Sequence, residues 1–155
     1  CTARKTIQDG RSWAEKMTDK RPHKLYAHDK LLAVKCNVDD FSSGVNFFTD
    51  GNLGLQVGVL KHQGGTIIQT HEHKKILREV ELTNEALIIL SGKIKANFYY
   101  KRELVDSWVC GPGDILLLLE GGHGFEIVED ACIIEAKLGP YLEQDDKIRF
   151  DANET

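Results

Sequence analysis

Residues 85–100 read Glu-Ala-Leu-Ile-Ile-Leu-Ser-Gly-Lys-Ile-Lys-Ala-Asn-Phe-Tyr-Tyr. The first half is an apolar run that ends at Ser91-Gly92, a pair of residues typical of turns. The second half alternates apolar and polar side chains up to Tyr100, which is the pattern of a half-buried strand. The stretch therefore predicts two strands that meet at a turn, with Glu85 at the entry of the first strand.

Similar short runs lie on both sides of this stretch. The turn signal Gly111-Pro112-Gly113-Asp114 precedes five consecutive apolar residues, 115–119, which predict a strand buried on both faces. Many short strands separated by turns are typical of an all-β sandwich or barrel. Further strands are predicted at residues 31–34, 55–60, 66–70, 104–110, 123–128 and 131–138.

Two histidines follow the predicted strand at residues 66–70. Residues two apart share one face of a strand, so Gln69, His71 and His73 are expected to project to the same side. Glu85 would be costly to bury on an apolar strand unless it is paired or bound to a cation. His123 begins another predicted strand, after the glycines at 121–122. These positions make His71, His73, Glu85 and His123 candidates for one site.

Three imidazoles and one carboxylate are ligands for a first-row divalent metal. Zinc, iron, manganese and nickel all accept this set, and the spacing selects none of them. The sequence therefore predicts one divalent transition metal held by His71, His73, Glu85 and His123. Glu79 and Glu81 are alternatives to Glu85 as the carboxylate ligand.

At these residues the chain resembles the cupin superfamily. One cupin motif appears as His71-x-His73, then Glu85, six residues and Gly92. The second appears as the Pro-Gly-Asp turn at 112–114, a strand, a glycine turn and His123. The resemblance covers about residues 52 to 140. The chain departs from the motifs in its eleven-residue spacer between His73 and Glu85, in the absence of a proline before the glycine turn, and in the absence of the terminal Asn.

The resemblance implies a double-stranded β-helix, the jelly-roll barrel of cupins. Residues 121–126 and 139–141, followed by Asp146-Lys147, look like a subgroup of small cupins linked to polysaccharide and sugar-nucleotide biosynthesis. Membership in that subgroup would imply a role in carbohydrate metabolism.

Three segments are predicted along the chain. Residues 1–50 are expected to form an N-terminal arm, with a short helix capped by Ser12 and Glu15, that packs on the barrel or on a partner subunit. Residues 51–142 are expected to form the barrel, and residues 143–155 the C-terminal tail. A homodimer is expected, because small barrels often cover their edge strands by pairing two subunits.

Composition excludes several classes of partner. The chain has 155 residues and a formal net charge of −4, so no basic field is expected to attract nucleic acid or an anionic membrane. No apolar run approaches the roughly 20 residues that a membrane-spanning helix needs. The four cysteines are scattered without metal-type spacing, which favours reduced thiols and a cytoplasmic protein.

The first functional hypothesis is a metal-dependent enzyme that acts on a small polar, sugar-like or carboxylate substrate. Gln69, Arg78 and Tyr141 are its candidate substrate-binding residues, and Arg78 and Tyr141 are also catalytic candidates. Arg78 suits this role because a guanidinium binds a carboxylate or phosphate through two parallel hydrogen bonds.

Two other hypotheses remain open. One is a metal-independent sugar or sugar-nucleotide isomerase or epimerase, in which His73 or His123 is the general base and a tyrosine the acid. The other is a non-catalytic module that binds a small molecule, since the sequence contains no nucleophile triad and no phosphate-binding glycine loop.

Overall fold

The computed structural model of the chain describes residues 22–142 and 146–152. These residues are organised in strands, which confirms the all-β prediction. The predicted helix that begins near Ser12 lies outside the described residues. The strands are β1 (His23–Ala27), β2 (Lys30–Asn37), β3 (Gly44–Phe47), β4 (Gly58–Lys61), β5 (Glu85–Tyr100), β6 (Glu103–Cys110), β7 (Asp114–Leu118) and β8 (Gly122–Lys137), and a 3₁₀ turn spans Val38–Asp40.

The main sheet is built around β5. Its strand order is β1–β2–β7–β5–β6, and β8 pairs with β5 as well. Residues 85–88 of β5 pair with β7, residues 94–100 pair with β6, and β8 runs antiparallel along almost the whole of β5. We call the long β5–β8 pair the ribbon. Strands β3 and β4 form a separate two-stranded sheet.

Strand β7 is buried on both faces, as the sequence predicts. Leu116 and Leu118 belong to one core cluster, and Ile115 and Leu117 belong to a second cluster that includes residues beside β3 and β4. The turn before β7 is fixed by Asp114, whose Oδ2 accepts a hydrogen bond of 2.9 Å from the backbone N–H of Gly111. This central strand therefore divides the hydrophobic interior into two layers.

The prediction of a turn at Gly92 is wrong, because β5 continues through this residue as one strand. The pairing of β5 with β8 shifts register at three places between Ile89 and Ile94, as β-bulges do. Gly92 has a φ of +76°, and a Cβ there would overlap the backbone of Asp130. A glycine in this conformation bends the strand without ending it, which is why its turn signal was misleading.

The predicted strand at residues 66–70 is also wrong. Residues 62–84 contain no strand, and Ile67 is 92% exposed. A β-branched composition favours a strand only where a partner strand and a half-buried surface are present. Here β4 ends at Lys61, and the following segment pairs with no strand of the described chain.

The part of the predicted N-terminal arm that the structure describes contributes strands: β1 and β2 lie in the main sheet, and β3 pairs with β4. Among the described residues, the strand pairings do not close the main sheet into a barrel. No helix in residues 22–142 and 146–152 has the length and apolar character needed to cross a bilayer.

Candidate functional site

Glu85 is the first residue of β5 and faces a hydrophobic layer. Alternate residues of a strand share a face, so Glu85 lies on the same side as Leu87 and Ile89. Both of those residues are buried in the first core cluster. The side chain of Glu85 is only 14% exposed, so its carboxylate is largely removed from water.

His123 is the second residue of β8, and the pairing of β8 with β5 shows which face of the sheet it lies on. It pairs with Phe98 of β5, which is buried in the same core cluster as Leu87. Paired residues of neighbouring strands share a face, so His123 and Glu85 lie on the same side of the ribbon. The ring of Phe125, two residues along β8, lies 5.5 Å from the His123 ring.

The bend of the ribbon brings these two residues into contact. Glu85 and Phe98, the partner of His123, are thirteen residues apart on β5, which corresponds to about 43 Å in a straight strand. Nevertheless, Nε2 of His123 lies 3.2 Å from Oε2 of Glu85. The ribbon therefore curls until its two ends meet, and Gly92 lies at the bend.

The contact has an electrostatic effect on Glu85. The hydrogen bond from His123 lowers the pKa of the Glu85 carboxyl, and the charges of His123, Lys137 and Lys147 act in the same direction. Burial opposes this by raising the pKa, and the net direction is downward. Glu85 is thus held as a carboxylate that accepts a hydrogen bond from Nε2–H of the histidine.

The second nitrogen of His123 is available. In the described part of the chain, Nδ1 of His123 has no hydrogen-bond partner, and the side chain is 33% exposed. A neutral imidazole that donates from Nε2 carries its lone pair on Nδ1. The lone pair of Nδ1 is therefore not engaged by the described residues, while Nε2 is fixed by the Glu85 carboxylate.

Lys137 is a further member of this site that the sequence did not single out. It pairs directly with Glu85 in the register of β5 and β8. Its Nζ lies 4.5 Å from the centre of the Tyr141 ring and 3.8 Å from Oδ2 of Asp146. Tyr141, a predicted substrate-binding and catalytic candidate, therefore lies beside a residue of the Glu85 end of the ribbon. A charged residue within a largely apolar predicted strand is the feature of the sequence that points to Lys137. Its pairing with Glu85 depends on the register of β5 and β8, which the sequence does not give.

The C-terminal tail reaches the His123 end of the ribbon. The Phe150 ring lies 5.4 Å from the ring of Tyr99, near the end of β5. A Cβ on Gly122 would lie 2.9 Å from two carbons of the Phe150 ring. The glycine before His123 therefore leaves room for the tail to pack against the start of β8.

His71 and His73 lie in the irregular, exposed segment between β4 and β5. Their ring centres are 5.3 Å apart, and Nδ1 of His71 lies 3.1 Å from the carbonyl oxygen of Gln69. Within the described ranges, no group of three or more His, Cys, Asp or Glu side chains is close enough to hold a metal ion. The structure brings together Glu85 with His123, and His71 with His73, but not all four, so the four-ligand metal site stays a prediction.

The remaining candidates lie on the same exposed segment. Arg78 is exposed and has no ion pair in the part of the chain that the structure describes. Glu79 and Glu81, the alternatives to Glu85, line a separate cavity together with Asn84. Neither carboxylate forms an ion pair with a histidine of the described residues.

Comparison of the chain with protein-family models, with curated proteins and with solved structures gave no match. The chemistry of the site therefore rests on the side chains themselves.

Proposed function

We propose that Glu85 and His123 form the proton-transfer centre of an enzyme that acts on a small polar, sugar-like or carboxylate substrate. The observation that carries this proposal is the 3.2 Å contact between Nε2 of His123 and Oε2 of Glu85, which leaves Nδ1 of His123 without a hydrogen-bond partner among the described residues. A carboxylate that fixes an imidazole through one nitrogen orients the other nitrogen as a general base. This favours the metal-independent isomerase or epimerase among the hypotheses from sequence.

The reaction follows from the two side chains. Nδ1 of His123 accepts a proton from a substrate carbon next to a carbonyl group, and the C–H electron pair moves toward the carbonyl oxygen. The Glu85 carboxylate stabilises the imidazolium that forms. A second acid on the opposite face, for which Tyr141 is the candidate, then donates a proton to that carbon and gives an epimer, while the abstracted proton passes from His123 to solvent. With an α-hydroxy carbonyl substrate, His123 instead returns its proton to the former carbonyl carbon while the hydroxyl proton moves to the enolate oxygen, and this gives an isomer.

Two neighbouring groups suit the binding of such a substrate. Lys137 is an ammonium group at the Glu85 end, and ammonium groups bind carboxylates and phosphates. Tyr141 is 56% exposed beside Lys137 and carries a hydroxyl group that can donate a hydrogen bond to a substrate oxygen. A small anionic sugar derivative matches these groups.

The test is exchange of substrate hydrogens with solvent. The protein is incubated in D₂O with nucleotide-linked sugars, keto sugars and sugar acids, and deuterium at carbon is followed by NMR. We expect incorporation with one compound of the panel, lost in His123→Asn and reduced at least tenfold in Glu85→Gln. The His71→Ala variant is the control and is expected to keep the activity. Binding without exchange by the native protein would contradict the proposal and support the binding module.

A metal-dependent enzyme is the second proposal. It is supported by the close approach of the His71 and His73 rings, which forms a second pair of metal-ligand side chains. Elemental analysis of protein purified without added metal distinguishes the two proposals. About one equivalent of zinc, iron, manganese or nickel, lost on His71→Ala together with activity, would favour the metal enzyme. Metal-free protein that retains exchange activity would favour the proton-transfer centre.

The finer fold and the assembly also remain proposals. The cupin-type jelly roll is supported by the curled ribbon, because it joins Glu85 of one cupin-like motif to His123 of the other. The homodimer is supported by β8, which pairs only with β5 among the described strands and exposes Ile127, Val128 and Ile134. A cytoplasmic location is supported by the free thiols of Cys36, Cys110 and Cys132.

A further inference from the structure

A cavity lies apart from the Glu85–His123 pair. It is open to solvent, and its volume is about 390 Å³, which is within the range of small-molecule sites. It is formed between the β1–β2 turn, the loop at residues 52–54, the segment at 79–84 and residues 119–120, which follow β7. We call it the Asn84 cavity.

The side chain of Asn84 is the unusual feature of this cavity. Asn84 is 6% exposed and lines the wall, yet its side-chain amide has no hydrogen-bond partner among the residues that the structure describes. Its backbone carbonyl accepts a hydrogen bond of 3.2 Å from the N–H of Leu138, which fixes the main chain. A buried amide without a partner is costly to a folded protein, and such groups in native structures need an explanation. A ligand in the cavity that forms a hydrogen bond with the Asn84 amide explains its burial.

The charges of the cavity indicate the kind of ligand. Among the described residues of the lining, four are carboxylates and Lys30 is the single cation. Lys30 lies 3.6 Å from the carboxylate of Glu120 and partly neutralises it. Asp29, Glu79 and Glu81 have no ion pair with any part of the described chain. The cavity therefore carries an excess of negative charge beside a buried amide.

The walls exclude a simple metal site. Leu31, Val80, Leu82 and Leu119 add apolar surface to the lining, which suits carbon atoms of a ligand. No three carboxylate or histidine groups of the described residues are close enough together to coordinate an ion. The chemistry matches an organic cation, with an ammonium group near the carboxylates and a hydroxyl or second amine on Asn84.

We infer that the Asn84 cavity binds a small organic amine, such as an amino sugar or a diamine, at a site separate from the proton-transfer centre. Asn84 immediately precedes Glu85 in the chain, but neither Glu85 nor His123 lines the cavity. The Asn84 amide orients the ligand, and the carboxylates at residues 29, 79 and 81 supply the attraction.

The test uses amines with uncharged counterparts of the same shape. Glucosamine is compared with glucose, and putrescine with 1,4-butanediol, by two-dimensional NMR of the side-chain amide groups. The Asn84 signals are assigned by their loss in Asn84→Ala. We expect at least one amine to shift these signals and its uncharged counterpart to leave them unchanged. No shift with either amine, or equal shifts with the uncharged compounds, would overturn the inference.

Variants separate binding from folding. Asn84→Ala removes an amide that has no partner in the described ranges, so we expect the unfolding midpoint of this variant to be unchanged or raised and amine binding to be lost. Replacing Glu79 and Glu81 by Gln is expected to weaken binding about five- to tenfold. Gly54→Ala places a methyl group 2.7 Å from Cγ1 of Val80 and 3.2 Å from Oδ1 of Asn84, so the Val80 side chain must shift in the cavity wall, and binding is expected to weaken as well. Glu103→Gln on β6, a carboxylate that does not line the cavity, is the charge control, and an equal effect of this change would overturn the inference.

Discussion

Gly92 lies so close to the backbone carbonyl of Asp130 that no side chain fits between the two strands. This contact is at the bend of the ribbon, where β5 and β8 change register together. Beyond the bend the strands continue until His123 meets Glu85. The site therefore depends on a backbone approach that only glycine permits.

Replacing Gly92 by alanine is expected to destabilise the fold by about 3 kcal/mol, because the methyl group overlaps the Asp130 backbone and the positive φ disfavours a side chain. The free energy of unfolding is measured by urea denaturation. Gly124→Ala is the matched control in the same ribbon, since a Cβ there meets nothing within 4 Å. Equal stability of both variants would contradict the described bend.

The stability of the native protein is expected to fall more steeply in acid than that of Glu85→Gln. The pKa of Glu85 is lowered in the folded state, mainly by the hydrogen bond from His123. The unfolded chain therefore binds a proton more readily, so this stabilisation is complete above the ordinary pKa of 4.5 and is lost as the pH falls through the lowered value. The free energy of unfolding of both proteins is measured by urea denaturation between pH 7 and pH 3. Parallel pH profiles for the two proteins would count against the pair.

Thiol reactivity is expected to distinguish the three described cysteines. Burial raises the pKa of Cys36 to about 12 and that of Cys110 to about 11, whereas Cys132 is exposed. At pH 8 about one Cys110 thiol in a thousand is ionised, and fewer at Cys36. In a Cys1→Ser background, a thiol reagent should label one residue quickly, and Cys132→Ser should abolish this phase. Fast labelling of two or more thiols would contradict the described burial.

If β8 forms the interface of the proposed homodimer, a charged side chain on this strand is expected to dissociate the dimer. Val128 is 54% exposed on this strand, so Val128→Glu is expected to convert a dimer to a monomer by placing an unpaired carboxylate in the interface. The molar mass in solution is measured by light scattering after size-exclusion chromatography. Val45→Glu on β3, where the side chain is 58% exposed, is the control. A native protein of monomer mass would contradict the dimer.

Periodicity and turn chemistry predicted much of the sheet. The run at 115–119 has five apolar residues in sequence after a turn, which is typical of a strand between two hydrophobic layers, and β7 buries four of them. The alternation from Ile94 to Tyr100 likewise matches the second half of β5. The apolar run and the alternation each involve residues that are close in sequence, so both patterns are visible without knowledge of the strand pairing.

The site was predicted only in part, because it depends on long-range geometry. Glu85 and His123 were both selected, and the structure brings them together. Lys137 was missed, since its pairing with Glu85 follows from the register of two strands far apart in sequence. The expected strand that would align His71 with His73 is absent, because residues 66–70 have no partner strand in the described chain.

The pairing of Glu85 with His123 is tested most directly by the protonation of the His123 ring. Long-range ¹H–¹⁵N NMR of the imidazole, at a pH where the ring is neutral, distinguishes a proton on Nε2 from one on Nδ1. We expect a proton on Nε2 in the native protein, and a weaker preference for this form in Glu85→Ala. A proton on Nδ1, or the same preference after removal of the carboxylate, would contradict it.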